Sequence, residues 1–365
     1  MAITDPLQQE LAEVRQQIDR LDSQLLELLN QRARYAQQVG AIKARHGDAG
    51  FIYRPEREAQ VLQRIQEMNA GPLSNESISW FFREVMSACL SLEQPLGIAF
   101  LGPLGTFSES AAIKHFGHAA RLLPQTSIDE VFKEVEACHA DYAVVPIENS
   151  TEGAIGRTLD LLLTTPLRIC GEVVLRIHQH LLSKVHDLRE VKRVYSHAQS
   201  LAQCHEWLNR SLPQVPRLPV GSNAQAAQLA AEEEGAAAIA GQAAAERYRL
   251  PELASNIEDE PNNTTRFVVL GRHDAGRSGR DKTSLIMSAQ NQTGSLSRLL
   301  APFSDAGVSM TRLESRPARH TLWEYVFFVD IEGHREDESV RAALAELTCR
   351  APYLKLLGSY PAAAL

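Results

Sequence analysis

At 365 residues with a formal net charge of −8, the chain is long for a single core and too acidic for a nucleic-acid or anionic-membrane surface. Two or three domains are expected, and any acidic ligand must be held by local arginines and lysines. The five cysteines (Cys89, Cys138, Cys170, Cys204, Cys349) are odd in number and never form a C-x-x-C pair, the usage of a reducing compartment. No apolar leader opens the chain, and its longest apolar run, near Leu159 to Leu163, is far too short to span a bilayer, so a soluble, cytoplasmic protein is expected.

Apolar residues at heptad spacing predict a long first helix: Leu7, Leu11, Val14, Ile18, Leu21, Leu25 and Leu28, then Tyr35, Val39 and Ile42. Arg32 interrupts this stripe where a hydrophobe is due. A buried arginine loses its hydration unless an anion meets it, so Arg32 is either a ligand for a carboxylate or phosphate or a side chain that snorkels to the surface. Lys43 favours the first reading, since it follows on the same face at roughly 16 Å and the two cations would bracket a small dianion. Arg15 lies roughly 26 Å before Arg32 along the helix. It can reach the same ligand only from an antiparallel partner, which makes the helix a dimerisation element.

Gly47 and Gly50 mark a break, Pro55 opens a second helix from its first turn, and Ser74 or Asn75 caps a third that carries Ile78, Phe82, Val85 and Cys89. At Pro95 the texture changes: LGIAFLG is a short apolar strand followed by a glycine turn. From there to about residue 271, strands (Tyr142 to Ile147, Val191 to Tyr195, Ala236 to Ala240, Arg266 to Leu270) alternate with helices such as Ile128 to Cys138 and Ala224 to Glu233. This predicts mostly parallel α/β structure, long enough for two lobes and a cleft. His178 and His180 on one strand face lack a third ligand, so no metal site is expected. GRHDAGRSGRDK, from Gly271 to Lys282, reads as a flexible linker. Beyond it the order strand (Thr283 to Ala289), helix (Leu296 to Ala306), strand (Met310 to Ser315), strand (Trp323 to Ile331), helix (Asp337 to Thr348), strand predicts a ferredoxin-like module. The fold class is therefore multidomain: all-α over 1–94, two-lobed α/β over 96–272, and α+β over 283–365.

Four motifs in the middle region lie on loops beyond strands, where open α/β sheets place ligand groups. Gly102-Pro103-Leu104-Gly105-Thr106-Phe107-Ser108 opens a helix whose amides suit a carboxylate. The others are Pro146-Ile147-Glu148-Asn149-Ser150-Thr151-Glu152-Gly153, then Ser196-His197-Ala198-Gln199, then Thr264-Thr265-Arg266-Phe267. Ser196 and His197 are no nucleophile-base pair, because adjacent residues on a strand face opposite ways.

Together these motifs resemble the prephenate dehydratase family, Thr265-Arg266-Phe267 and the Glu148 to Gly153 run most specifically. Glu314-Ser315-Arg316-Pro317 resembles the amino-acid-binding ACT domain, and the helical start resembles the all-helical chorismate mutases. The resemblance covers essentially the whole chain and implies a bifunctional enzyme of phenylalanine biosynthesis that needs no cofactor. It implies a mutase site of Arg15 (from the partner), Arg32, Lys43, Arg57, Glu58 and Glu93, with Lys43 and Glu93 facing the breaking ether bond, Glu58 the ring hydroxyl, and Glu93 standing where many relatives carry glutamine. It implies dehydratase residues Thr106, Asn149, Ser150, Gln199, Thr265 and Arg266, with Thr265 donating to the departing hydroxyl. Phenylalanine is implied as an effector near Gly294, Ser295, Leu296, Glu314 and Ser315, in a module removable at about Arg277. Chorismate and prephenate are the implied substrates and a homodimer or higher homo-oligomer the implied assembly. A non-catalytic sensor with a helical dimeriser, or a dehydratase preferring arogenate, stands as the alternative.

Overall fold

The computed structural model describes residues 6–46, 51–289, 292–317 and 325–363, so the break expected at Gly47 and Gly50 lies outside the described residues. The first helix is one 40-residue rod, α1 (Pro6–Arg45), and its apolar stripe stays bare: Leu21 and Leu28 are 58% and 60% exposed. α2 (Pro55–Met68) starts on its proline, and α3 (Asn75–Ser91) is capped by the Ser74 hydroxyl, which accepts from the Ser77 amide.

The α/β region comprises β1 (Gly97–Leu101), α4 (Phe107–Phe116), β2 (Arg121–Gln125), α5 (Ile128–Glu136), β3 (Tyr142–Asn149), β4 (Gly153–Ala154), α6 (Gly156–Thr164), β5 (Arg168–Arg176), β6 (His180–Ser183), β7 (Arg193–His197), α7 (Ala198–Gln203), α8 (His205–Ser211), β8 (Arg217–Val220), α9 (Asn223–Glu232), β9 (Ala236–Ala240), α10 (Gln242–Tyr248), β10 (Glu252–Ala254) and β11 (Thr264–Gly271). The strands form two sheets. One is ordered β2-β1-β3-β11-β5 with β4 added to β3, the other β10-β6-β9-β7-β8. The expectation of mostly parallel sheet needs correction. The chain leaves the first lobe after β5 and re-enters as β11, which runs antiparallel to both β3 and β5, and β6 likewise opposes β9.

The last module follows its predicted order as β12 (Asp281–Ala289), α11 (Ser295–Asp305), β13 (Met310–Pro317), β14 (Tyr325–Glu332), α12 (Glu338–Arg350) and β15 (Tyr353–Pro361), in a sheet ordered β13-β14-β12-β15. Residues 318–324, including the expected strand start at Trp323, lie outside the described residues.

The stretch read as a flexible linker is packed. Arg272 donates to the Val135 and Ala140 carbonyls, Asp274 pairs with Arg335 at 3.1 Å, and His334 contacts the Ala275 carbonyl at 3.2 Å. The helical part, the first lobe and the last module accordingly contribute to one apolar core, in which Tyr53, Ile169, Val173, Phe267, Phe328 and Tyr360 are all buried, while the second lobe and the last module also keep cores of their own. Lys355 of β15 donates to the Leu162, Leu163 and Thr165 carbonyls at 2.7–3.1 Å, satisfying the C-terminus of α6 from across the domain boundary. Gly358 is required there, because a Cβ would run into the Ile169 carbonyl oxygen.

Candidate functional site

In the helical part, Arg32 and Lys43 are half-buried on α1, while Arg15 is exposed in the bare stripe region. The Glu93 side chain reaches α1 at Gly40, where a Cβ would meet its Oε1 at 2.6 Å; Gly40 lies one turn before Lys43, so α3 delivers Glu93 to the lysine's face. Arg57 is exposed on α2. The Glu58 carboxylate accepts from Arg83 Nε at 3.1 Å and bonds the Tyr53 hydroxyl, and burial raises its pKa against the opposing pull of Arg83. Its two oxygens keep acceptor capacity beyond these two bonds. The Tyr53 hydroxyl also meets His115 Nε2 at 2.9 Å, so this chain of contacts joins α2 to α4 of the next domain.

Between the two α/β lobes lies a cleft of about 960 Å³. Thr106, Asn149, Gln199 and Thr265 line it as expected, the first two from the first lobe and Gln199 from the second. Thr106 caps α4, its Oγ1 accepting from the Glu109 amide. The Gly105 amide before it donates to the Glu109 carboxylate. Gly105 takes φ +90°, a left-handed conformation that calls for glycine, and faces the second lobe at Ala224 and Arg247.

Asn149 fixes the polar centre of the cleft. Its Oδ1 accepts from the Thr151 amide (3.0 Å), the Thr151 hydroxyl (2.6 Å) and the Glu152 amide (3.2 Å), which leaves Nδ2 to donate to Asn263 Oδ1 and Thr265 Oγ1, each at 2.9 Å. Because the Thr265 oxygen already accepts from an amide, its own proton is free to point at a substrate.

Two expected residues lie elsewhere. Ser150 closes the end of the β3–β11 ladder: its amide donates to the Thr264 carbonyl and its hydroxyl accepts from the Thr264 amide, each at 2.9 Å. Arg266 points through the opposite face of the sheet. Its Nε meets Glu172 at 2.8 Å, Nη1 meets Asp330 at 2.5 Å, and Nη2 donates to the Tyr360 hydroxyl at 3.0 Å. Strand alternation is the cause, since Thr265 and Arg266 are neighbours on β11. The same rule holds at Ser196, which is fully buried and donates to the Ile239 carbonyl while His197 faces the cleft.

Beyond Gln199, sequence reasoning missed most of the second lobe's contribution. Gln179, Ser200, Asn223 and Gln225 line the cleft, and Arg247 on α10 brings it a permanent positive charge. The signal was present but weak: Ser200, Asn223, Gln225 and Arg247 follow β7, β8 and β9, at the ends where such sheets bind ligands, and Gln179 lies between β5 and β6. His178 and His180 pair with Glu258 (3.0 Å) and Glu252 (3.3 Å).

In the C-terminal module a cavity of about 380 Å³ is lined by Ser295, Arg298, Leu299, Arg350 and Gln292 among others. Of the expected effector residues only Ser295 borders it. Gly294 takes φ +73° as it enters α11, and Leu296 packs toward the module's core. Glu314 and Ser315 sit on β13, two strands from β12 and so roughly 10 Å from it within one chain.

A helical arm with a bare apolar stripe, a two-lobed polar cleft and a ferredoxin-like module define a multidomain enzyme of small-molecule metabolism. Family models match in the same order: chorismate mutase type II over residues 14–94, prephenate dehydratase over 98–275, and the ACT domain over 283–349. The chain is 55% identical to the bifunctional chorismate mutase/prephenate dehydratase of Neisseria gonorrhoeae, over 96% of this chain and 97% of that protein. It is 49% identical to that of Pseudomonas aeruginosa, over 98% and 99%. Its structure resembles the prephenate dehydratase of Arthrobacter aurescens in complex with L-phenylalanine (TM-score 0.68, 36% identity, 73% of this chain and 90% of the other). The chain belongs to the bifunctional chorismate mutase/prephenate dehydratase family. It is an enzyme of phenylalanine biosynthesis with both activities, and its ACT domain fits feedback regulation by phenylalanine.

Proposed function

We propose that residues 1–94, 96–272 and 283–365 house the mutase, the dehydratase and the effector site, and that Thr265 carries the second reaction. In the mutase, Arg32 and Arg57 with the partner's Arg15 hold the two carboxylates of chorismate in its compact conformer, and Lys43 and Glu93 face the ether oxygen as its bond breaks. The bare stripe of α1 supports an antiparallel homodimer that supplies this second arginine. Glu58, held by Arg83 and Tyr53, accepts from the ring hydroxyl with its remaining acceptor capacity.

In the dehydratase, loss of carbon dioxide and hydroxide from prephenate is driven by aromatisation. The site must hold the dianion and assist the hydroxyl's departure. Thr106, Gln199 and the α4 amides, with Arg247 opposite, hold the acid groups, and Thr265 donates to the leaving oxygen. The hydrogen bond from Asn149 to Thr265 carries this reading, because it leaves the threonine a donor. A cleft lined, among the described residues, by Arg247 and by no acidic residue that could meet an ammonium favours prephenate's keto acid over an amino acid, and cytoplasmic chemistry accords with five free cysteines. Phenylalanine binds the C-terminal module at the Gly294–Ser295 turn, with Glu314 and Ser315 completing the site from a second copy. Mixing the protein with chorismate or prephenate and following phenylpyruvate in alkali tests the assignment. Turnover of both supports it, and turnover of arogenate alone overturns the substrate choice.

A further inference from the structure

β3 and β11 pair Thr265 with Asn149 and, one step along, Arg266 with Glu148. Successive rungs of a sheet face opposite sides. The first rung therefore holds the polar centre of the cleft, and the second faces the C-terminal module. We propose that the Glu148–Arg266 rung is the link through which that module sets the Asn149–Thr265 rung, so that effector occupancy is read one residue away from the reacting group. This rests on the reading of the module as the phenylalanine site.

The link is built from every strand of the module's sheet. Arg266 binds Asp330 on β14 and Tyr360 on β15, and Tyr360 in turn meets the Ser284 hydroxyl of β12 at 2.7 Å. Glu148 accepts from Arg312 Nε of β13 at 3.0 Å and lies 3.8 Å from Arg266 Nη1. Glu172 of β5 closes the cluster, bonding Arg266 and Lys282 at 2.8 Å each. The side chains of Glu172, Asp330 and Arg312 are only 0%, 5% and 9% exposed, so none of these charges can be left unpaired without a large desolvation penalty. The module cannot shift and leave Glu148 and Arg266 behind. Their backbones move with it, and a displacement of a few tenths of an ångström between β3 and β11 is enough to weaken a 2.9 Å hydrogen bond across the neighbouring rung. Arg312 also shares β13 with Glu314 and Ser315; exposure alternates along the strand, so that Arg312, Glu314 and Arg316 lie on its sheltered face, Arg316 meeting Asp160 at 3.2 Å, and Ser315 lies on the exposed one. A ligand that pulls on this strand pulls on Glu148.

The test uses the full chain with Arg312→Gln, the charge-conserving Arg312→Lys, and Tyr360→Phe. Phenylalanine binding is measured by calorimetry and dehydratase rate at saturating phenylalanine. Arg312→Gln should bind phenylalanine within about threefold of the unaltered enzyme yet keep at least about ten times more residual activity when saturated, with Arg312→Lys restoring most inhibition. Tyr360→Phe, which removes one hydroxyl and keeps the ring, should move the same way. Full inhibition of both Arg312→Gln and Tyr360→Phe, or loss of binding together with inhibition, overturns the link. An unaltered enzyme insensitive to phenylalanine overturns the feedback reading itself, which separates the two failures.

Discussion

The role proposed for Thr265 rests on one neighbour, Asn149, whose Nδ2 donates to it and whose Oδ1 is pinned by three donors. Removing the hydroxyl by Thr265→Ala should lower the dehydratase rate by at least about a hundredfold, in line with the loss of one preorganised donor to a developing charge. Thr265→Ser should retain most of it. The mutase rate is the control and should not move. Arg247, across the cleft, has a separable effect: Arg247→Gln weakens capture of a dianion and should raise KM for prephenate several-fold with a smaller change in kcat. A kcat loss at constant KM would place Arg247 at the reacting centre instead. The sequence made Thr265 legible through its motif but misplaced Arg266, because adjacency in a motif says nothing about face. The alternation rule that excluded a Ser196–His197 pair applies equally to Thr265 and Arg266.

The elements of the fold followed from periodicity and capping. α1, α2 from Pro55, α3 from Ser74 and the βαββαβ order all stand where the pattern puts them. Contacts between elements were not legible, and Tyr53 shows why. Nothing in IYRPERE announces that this tyrosine is 4% exposed against Phe116 and Tyr142 with its hydroxyl on His115. Burial pushes the His115 pKa from 6.5 down to about 3. The folded value lies below the unfolded one, so this group's contribution to stability is fully present above pH 6.5 and is lost progressively as pH falls toward 3. The melting temperature should drop on acidification through that window, and His115→Gln, which keeps a partner for Tyr53 but does not titrate, should flatten the drop. An unchanged profile would place the acid-sensitive group elsewhere. α1 is testable through its stripe. Leu21→Glu puts a charge on the expected dimer seam, so sedimentation should show monomers and mutase activity should fall with the partner's Arg15 withdrawn, the dehydratase changing far less.

At the scale of the whole molecule the domains are fused through one core rather than strung on a tether. Ending the chain after Arg277 would remove Ile286, Val326, Phe328, Leu357 and Tyr360 from the shared core and leave Arg266 and Glu172 without Asp330, Tyr360 and Lys282. Such a protein should be insensitive to phenylalanine but should melt several degrees lower, since a loss of about 1 kcal/mol already shifts a domain of this size by a few degrees. Glycine and charge in GRHDAGRSGRDK suggested freedom because composition registers solvation, whereas Arg272 binds carbonyls of the middle domain and Asp274 pairs with Arg335 of the last module. The central claim is that one chain carries two successive reactions at two separate sites. The direct measurement supplies chorismate, then prephenate, to the unaltered enzyme, to Arg32→Ala and to Thr265→Ala, and follows prephenate and phenylpyruvate together. The account predicts that Thr265→Ala accumulates prephenate from chorismate, that Arg32→Ala makes phenylpyruvate only from added prephenate, and that mixing the two variants restores the full conversion; loss of both reactions in either variant would contradict it.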